Sequence, residues 1–433
     1  MINWDKYQKA MQNPLWTYTG QVTKVVGLGI ESLGPIANIG DICSIQTQTS
    51  DRNLLAEVVG FRDKHLFLMP LGALDGIRPG CLVTAYSDKI QVKVDKQLLG
   101  HVVDWQAQPI DKQLISPTET VSIENAPPHP LLRNRIAEQM VLGIRSIDGM
   151  LSIGKGQRIG IFAGSGVGKS TLLGMIARNA LSDINVIALI GERGREVREF
   201  IEKDLKEEGL ARSIVVVATS DQPALIRLKA AMTATAIAEY FREKGNDVLL
   251  MMDSLTRFAM AQREIGLATG EPPVTRGYPP SVFGILPKLL ERAGNSDKGS
   301  ITGMYTVLVD GDDFNEPITD TVRGILDGHI VLSRKLANKG HYPSIDVLAS
   351  ISRVMGDVIS KEHKSYASFI KKYLAIYTEA EDLINVGAYN KGSNPDIDQA
   401  IDKIQAIRDF LQQEVSEKIS FEDTLNVMKQ IIN

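Results

Sequence analysis

Nine residues do most to constrain this 433-residue chain: Ala163-Gly164-Ser165-Gly166-Val167-Gly168-Lys169-Ser170-Thr171. They follow the apolar run Ile159–Phe162, which reads as a buried strand. They precede Leu172, Leu173, Met175 and Ile176, which read as the buried face of a helix. Strand, glycine-rich turn, Lys-Ser and helix make a phosphate-binding loop. The glycines let successive backbone N–H groups turn inward around phosphate oxygens, and the helix N-terminus adds about half a positive charge. In such a loop Lys169 reaches the β- and γ-phosphates and the Ser170 hydroxyl serves Mg²⁺. The strict pattern has glycine where this chain has Ala163, a change that strand geometry at that position tolerates.

A chain of this length exceeds one core. The composition is that of a soluble globular protein, 43% hydrophobic and 23% charged. A net charge of -4 gives no support to general nucleic-acid binding. Two cysteines, Cys43 and Cys81, cannot make a disulfide framework and fit buried thiols in a reducing compartment. No apolar run approaches the ~18 residues of a membrane span, and Asp5 and Lys6 stand where an export signal would be apolar. A cytoplasmic location is expected.

In chain order, residues 1–15 place Trp4, Tyr7, Met11 and Leu15 at helical spacing, so a partner-docking helix competes there with a frayed terminus. Residues 16–95 read as short strands punctuated by Gly, Pro, Asn and Asp: Thr17–Val26, Ile42–Gln46, Leu54–Phe61, His65–Leu68, Cys81–Tyr86 and Ile90–Val94. That pattern predicts a small β-barrel or sandwich. Its acids and bases balance and aromatics are few, which argues against an oligonucleotide platform. A proline-rich connector leads to about residue 150. Strands then alternate with helices to about 355: Gln157–Phe162, Asn185–Ile190, Ser213–Ala218, Asp247–Met252, Ile301–Val309 and His329–Leu332, with the clearest helix at Ala224–Lys244. This predicts an α/β domain with a mostly parallel sheet, spanning 96–355 with its connector. Residues 356–433 read as helices at Tyr366–Ile384, Asp398–Gln413 and Phe421–Ile432.

Ligands of such sheets sit at the carboxyl ends of the strands. Glu192 and Arg193 follow the strand ending at Ile190, and Asp253 follows the strand ending at Met252. Asp253 fits an outer-shell Mg²⁺ holder, Glu192 a base that positions and activates water, and Arg193 a γ-phosphate contact. A charged surface turn at Glu192–Glu196 and a helix N-cap at Asp253 are the structural alternatives. Phosphoryl transfer also calls for an arginine, and spacing alone does not choose among Arg323, Arg334 and Arg353.

With these residues in hand, the chain resembles the catalytic subunits of rotary ATPases, and most closely the flagellar protein-export ATPases and their type III secretion relatives. The resemblance rests on Ala163–Thr171, Gly191–Glu196, Met252–Arg257 and Gly340–Asp346. It is narrowed by Phe67–Leu71, Ala259–Ile265 and Val386–Ser393, and it runs from about residue 20 to near the end. It implies a RecA-like P-loop ATPase core between an N-terminal β-barrel and a C-terminal helical domain, working as a homohexamer on ATP and Mg²⁺. Gly164 through Thr171 would hold phosphate, Ser170 and Asp253 the metal, and Glu192 the attacking water. Tyr342 would stack on adenine, where a packed loop tyrosine is the plainer reading, and Arg353 would be the arginine finger reaching a neighbouring subunit's site.

The resemblance further implies a central stalk-like protein at Gly270–Pro280 and a stator-like regulator at the N-terminus, which has about 15 residues ahead of the barrel and so fewer than usual. Chaperone–cargo complexes and a membrane export gate, the latter reached through partners, complete the implied partners; nucleic acid is not among them. The competing classes are a virulence-type secretion ATPase, a rotary ion-pump subunit, a termination-type RNA helicase and a nucleotide-binding structural subunit. The short helical C-terminus argues against the ion pump and the neutral barrel against the helicase. The presence of both Lys169 and Glu192 argues against a purely structural role.

Overall fold

The computed structural model describes residues 18–47, 53–87, 89–111, 114–309, 311 and 313–432. The docking helix expected within residues 1–15 lies outside them. Contacts divide the chain into two compact units, one of Met1–Gln91 with Asp221–Leu228 and Met260–Val282, the other of Val92–Ser220, Lys229–Ala259 and Phe283–Asn433.

In the first unit six antiparallel strands close a barrel: Thr19–Val26, Gly29–Leu33, Ile42–Ile45, Leu54–Arg62, His65–Pro70 and Leu82–Ser87, in spatial order first, second, fifth, fourth, third, sixth. Alternating side chains fill it, among them Val22, Ile30, Cys43, Val58, Leu68 and Val83. Closure removes the unpaired edges that an open sheet of short strands would expose. Both cysteines are buried free thiols, as expected, and burial together with Asp41 pushes Cys43 up to about 11. Two expectations are corrected here. Gly29–Leu33, which the sequence reading passed over, is a full barrel strand, joined to the first by a turn at Gly27-Leu28. Conversely, Gln91–Val94 is not a barrel strand and pairs with Glu119–Ser122.

The second unit is built on a nine-stranded sheet whose order is Ile345–Ser352, Gly328–Leu332, Arg158–Ala163, Ser300–Leu308, Asp247–Asp253, Ile184–Ile190, Ser213–Ala218 and Val102–Val103, with Gly294–Asn295 paired alongside. Its pairs are parallel except at Ile345–Ser352 and Gly294–Asn295. The central strands are buried along their whole length, for example Ile184–Ile190 and Ser213–Ala218, which is why they read as continuous apolar runs. Ala163 ends its strand in register with Leu308 and Leu332, so the position where glycine was missing has strand geometry.

Three helices, Lys361–Asn385, Pro395–Leu411 and Phe421–Ile432, pack on one another and on the short helix Arg145–Met150. Their starts are set by side-chain caps. Ser360 accepts from His363 N, and Asn394 accepts from Asp396 N and Ile397 N with Pro395 in the first turn. No described helix is long and apolar enough to cross a membrane.

Candidate active site

Gly166 and Gly168 adopt left-handed backbones, φ 76° and 88°, which side-chain-bearing residues rarely adopt. This lets the loop turn back over the N-terminus of the helix Lys169–Asn179, which begins at Lys169 with no side-chain cap on its first N–H groups. Those donors remain for an anion. The loop opens on a cavity of about 1,090 Å³ at the carboxyl ends of the strands, where the fold rule places a ligand.

Each expected site residue has a definite place. Gly164, Ser165, Gly166, Gly168, Lys169, Ser170 and Thr171 line the cavity; Val167 is buried beneath it, its carbonyl accepting from Ser344 Oγ at 2.6 Å. Lys169 Nζ forms an ion pair with Asp253 and lies 3.7 Å from Glu192 Oε1. Asp253 closes its strand with 5% of its surface exposed, and its Oδ1 also accepts from Thr306 Oγ1 at 2.7 Å. The helix cap after it is Ser254, whose Oγ accepts from Arg257 N at 3.3 Å, so Asp253 is free of the capping role considered for it. Ser170 is exposed in the helix's first turn.

Burial, reinforced by the Asp253 charge and opposed by Lys169, pushes the Glu192 carboxyl up to about 7. Arg193 borders the cavity, but its guanidinium is solvent-facing, with the side chain 77% exposed and 3.5 Å from Glu196 Oε1. Tyr342 lines the same cavity, half-exposed, with its ring so close to the loop that a methyl at Gly168 would stand 3.4 Å away. Arg353 is apart from these groups. It is exposed, is not among the cavity's lining residues, and its Nη2 is 3.5 Å from the Arg323 carbonyl.

The sequence reading missed two sets of residues. Thr306 was hidden among the hydroxyls of its strand, Ser300, Thr302 and Tyr305 being the others, and nothing local sets it apart. Gln412, Gln413 and Val415 wall the Tyr342 side of the cavity. Gln413 N donates to Tyr342 O at 3.0 Å, and Gln413 Oε1 accepts from Arg145 N at 2.9 Å. They carry no local motif and reach the site only through the packing of the C-terminal helices.

Sequence and structure comparisons match the whole of this architecture. Residues 143–352 match the nucleotide-binding domain of the ATP synthase alpha/beta family, 22–86 its beta-barrel domain, and 359–430 the T3SS EscN ATPase C-terminal domain. The flagellum-specific ATP synthase of Bacillus subtilis (strain 168) is 58% identical over 414 residues, which is 95% of this chain and 94% of that protein. The chain belongs to the family of flagellum-specific ATP synthases and type 3 secretion ATPases. It is an ATPase that binds ATP. A type 3 secretion system ATPase of Xanthomonas euvesicatoria is 50% identical over 413 residues, 95% of this chain and 93% of that one. The assembled ATPase EscN of the enteropathogenic E. coli type III secretion system superposes with a TM-score of 0.89 at 47% identity, over 96% of this chain and all of that one. EscN has also been solved in complex with its central stalk EscO, and that structure matches with a TM-score of 0.88.

Proposed function

We propose that this chain energises protein export through the flagellar branch of its family, with each catalytic site completed by a neighbouring copy in a homohexameric ring. One observation carries the reading. Lys169, Glu192 and Asp253 meet in one cavity, while Arg353, the arginine singled out for transfer, stands exposed outside it. An Arg353 that its own chain leaves exposed outside the cavity suits a finger supplied in trans to a neighbour's site. The 58% identity to a flagellar relative favours the flagellar branch over the virulence type.

Within a site, the loop N–H groups and Lys169 bind the phosphates of ATP, and Lys169 exchanges Asp253 for phosphate as it does so. Glu192, poised near 7, takes the proton of the attacking water. Tyr342 packs against adenine. Arg193 is placed to contact phosphate only if it leaves Glu196. One exposed hydroxyl, Ser170, and one buried carboxylate, Asp253, would hold a Mg²⁺ beside the phosphates. When bound, that ion neutralises charge on the β- and γ-phosphates.

The loop from Gly270 to Pro280 is the proposed contact for a central stalk. Val274 is 62% exposed there, on a turn closed by Tyr278 N donating to Thr275 O at 2.9 Å and braced by Arg263, 5.2 Å above the Tyr278 ring. A regulator at the N-terminus, chaperone–cargo complexes, and cytoplasmic residence at the membrane export apparatus through partners belong to the same proposal.

The test is ATP turnover per subunit over a wide range of protein concentration, with sizing at each point. Turnover that rises steeply as rings form supports the reading. Full turnover in a monomer overturns it.

A further inference from the structure

The last turn of the phosphate-loop helix Lys169–Asn179 carries a buried arginine that takes no part in the loop itself. Arg178 is 8% exposed, and a buried cation is costly unless its donors are answered. Its answers come from two carbonyls far apart in sequence. Nη1 donates to Asp204 O, 26 residues on, and Nη2 donates to Val415 O, 237 residues on, at 2.9 Å. The stem is boxed in as well, since a methyl at Gly209 would stand 3.1 Å from Arg178 Cγ. Close packing on the stem and two bonds at the head fix the guanidinium in one place.

Both carbonyls belong to segments that border the nucleotide cavity. Asp204 lies in the turn Phe200–Leu205, which continues the helix begun at Gly194 just after Glu192, and Phe200 lines the cavity. Val415, 39% exposed, lines the cavity from the segment 412–420 that joins the helices Pro395–Leu411 and Phe421–Ile432. That segment belongs to no helix or strand, so its shape is set by what grips it. Its start is gripped at Gln412 and Gln413. Arg145 Nη2 donates to Gln412 O at 2.6 Å, and Gln413 Nε2 donates to Gly143 O at 2.9 Å. Arg178 grips it further on, at Val415.

We propose that Arg178 is a positioning residue for the nucleotide: through the Val415 carbonyl it holds the segment 412–417 at a fixed distance from the phosphate loop, so that Val415 packs against the base side of ATP. This role rests on adenine lying beside Tyr342, as proposed above. Lys169, Ser170 and Thr171 begin the helix that Arg178 ends, and Thr171 stands about 10 Å from Arg178 along the axis at ~1.5 Å per residue. One rigid rod therefore carries the groups that hold phosphate and the cation that holds the base wall. A nucleotide gripped at both ends binds more tightly when the gap between the grips is set beforehand.

The test is equilibrium titration of the full-length ATPase with a fluorescent, non-hydrolysable ATP analogue, for the parent, Arg178→Met, Val415→Gly and the double variant. Methionine keeps much of the apolar stem and removes both donors. Each single substitution should weaken binding by about five- to tenfold. The double variant should be weaker than either single one by less than about twofold, because Arg178 acts through the side chain that glycine removes. KM for ATP should rise with Kd while kcat at saturating ATP stays within about twofold, a split that general loosening of the fold would not give. If Arg178→Met proves unstable, Arg178→Gln, which keeps one shorter donor, replaces it in the same cycle. An Arg178 variant that binds as tightly as the parent, or losses that add in full in the double variant, overturns the proposal. If Tyr342→Ala and Val415→Gly both leave affinity unchanged, the placement of adenine fails and this role with it. If both weaken binding and the Arg178 variant does not, the positioning role alone fails.

Discussion

Glu192→Gln should abolish turnover and at the same time stabilise the nucleotide-free protein, by an amount that depends on pH. In the folded chain the Glu192 carboxyl titrates at about 7 instead of 4.5, chiefly because it is buried and secondarily because Asp253 is near. At about 1.4 kcal/mol per pH unit, that displacement corresponds to roughly 3 kcal/mol. The side chain keeps 15% of its exposure, so screening by water reduces the usable part to about 1–2 kcal/mol.

The sign follows from proton counts. Between 4.5 and about 7 the folded state holds a proton that the unfolded state has released, so stability falls as pH rises through this window and is level above it. Glutamine has no proton to lose and escapes the fall. Thermal melting of parent and variant, without nucleotide, should give midpoints that nearly coincide at about pH 4.5 and separate by about 1–2 °C in favour of the variant at about pH 8. The parent's kcat/KM should fall below about pH 7 as the base is protonated. A variant that melts at or below the parent at pH 8, or a gap that does not change with pH, refutes the reasoning.

Three further outcomes are expected. Tyr342→Ala should weaken a fluorescent ATP analogue by about tenfold through lost ring packing, with kcat nearly kept; unchanged affinity would remove Tyr342 from the adenine site. Gly174→Ala should cost about 1–3 kcal/mol in denaturant titration, because its methyl would stand 2.6 Å from both Cβ and the carbonyl oxygen of Asp204 in the adjoining turn Phe200–Leu205. A neutral result would mean that the two segments are not held so closely. Arg292→Met should destabilise by about 3–5 kcal/mol, since it strands Glu239, which Arg292 grips through two bonds of 2.8 and 2.7 Å with both side chains under a tenth exposed. Adding Glu239→Leu should recover much of that loss, and a double variant as unstable as the single would contradict the pairing.

The parts of the site that sequence disclosed share one property: their geometry is local. Gly166, Gly168 and Lys169 state the loop by themselves, and Glu192 and Asp253 stand out as acids following apolar strands. The residues it concealed are brought in from a distance. Thr306 reaches Asp253 across the sheet, and Gln412 and Gln413 reach Tyr342 only because the C-terminal helices pack on Arg145–Met150. The same holds for strands. Asp247–Asp253 is apolar enough to read directly. Gly29–Leu33 was masked by the glycines on either side, and Ile345–Ser352 by Pro343, three serines and an aspartate, although pairing with Gly328–Leu332 makes it a strand. Arg353 could not be told from Arg323 or Arg334 by spacing, since the role proposed for it depends on a neighbour that a single chain does not contain.

That dependence on a neighbour is tested most directly by mixing two inactive variants, Arg353→Ala and Glu192→Gln, and measuring ATP turnover against their ratio. Each lacks a different half of a shared site. In a ring of head-to-tail contacts, an Arg353→Ala subunit keeps its own Glu192 and can borrow Arg353 from a Glu192→Gln neighbour. Random assembly restores up to about a quarter of the sites at equal amounts. The account predicts turnover that is near zero for either variant alone and passes through a maximum near the equal mixture. Mixtures no more active than their parents at any ratio would contradict a site shared between subunits.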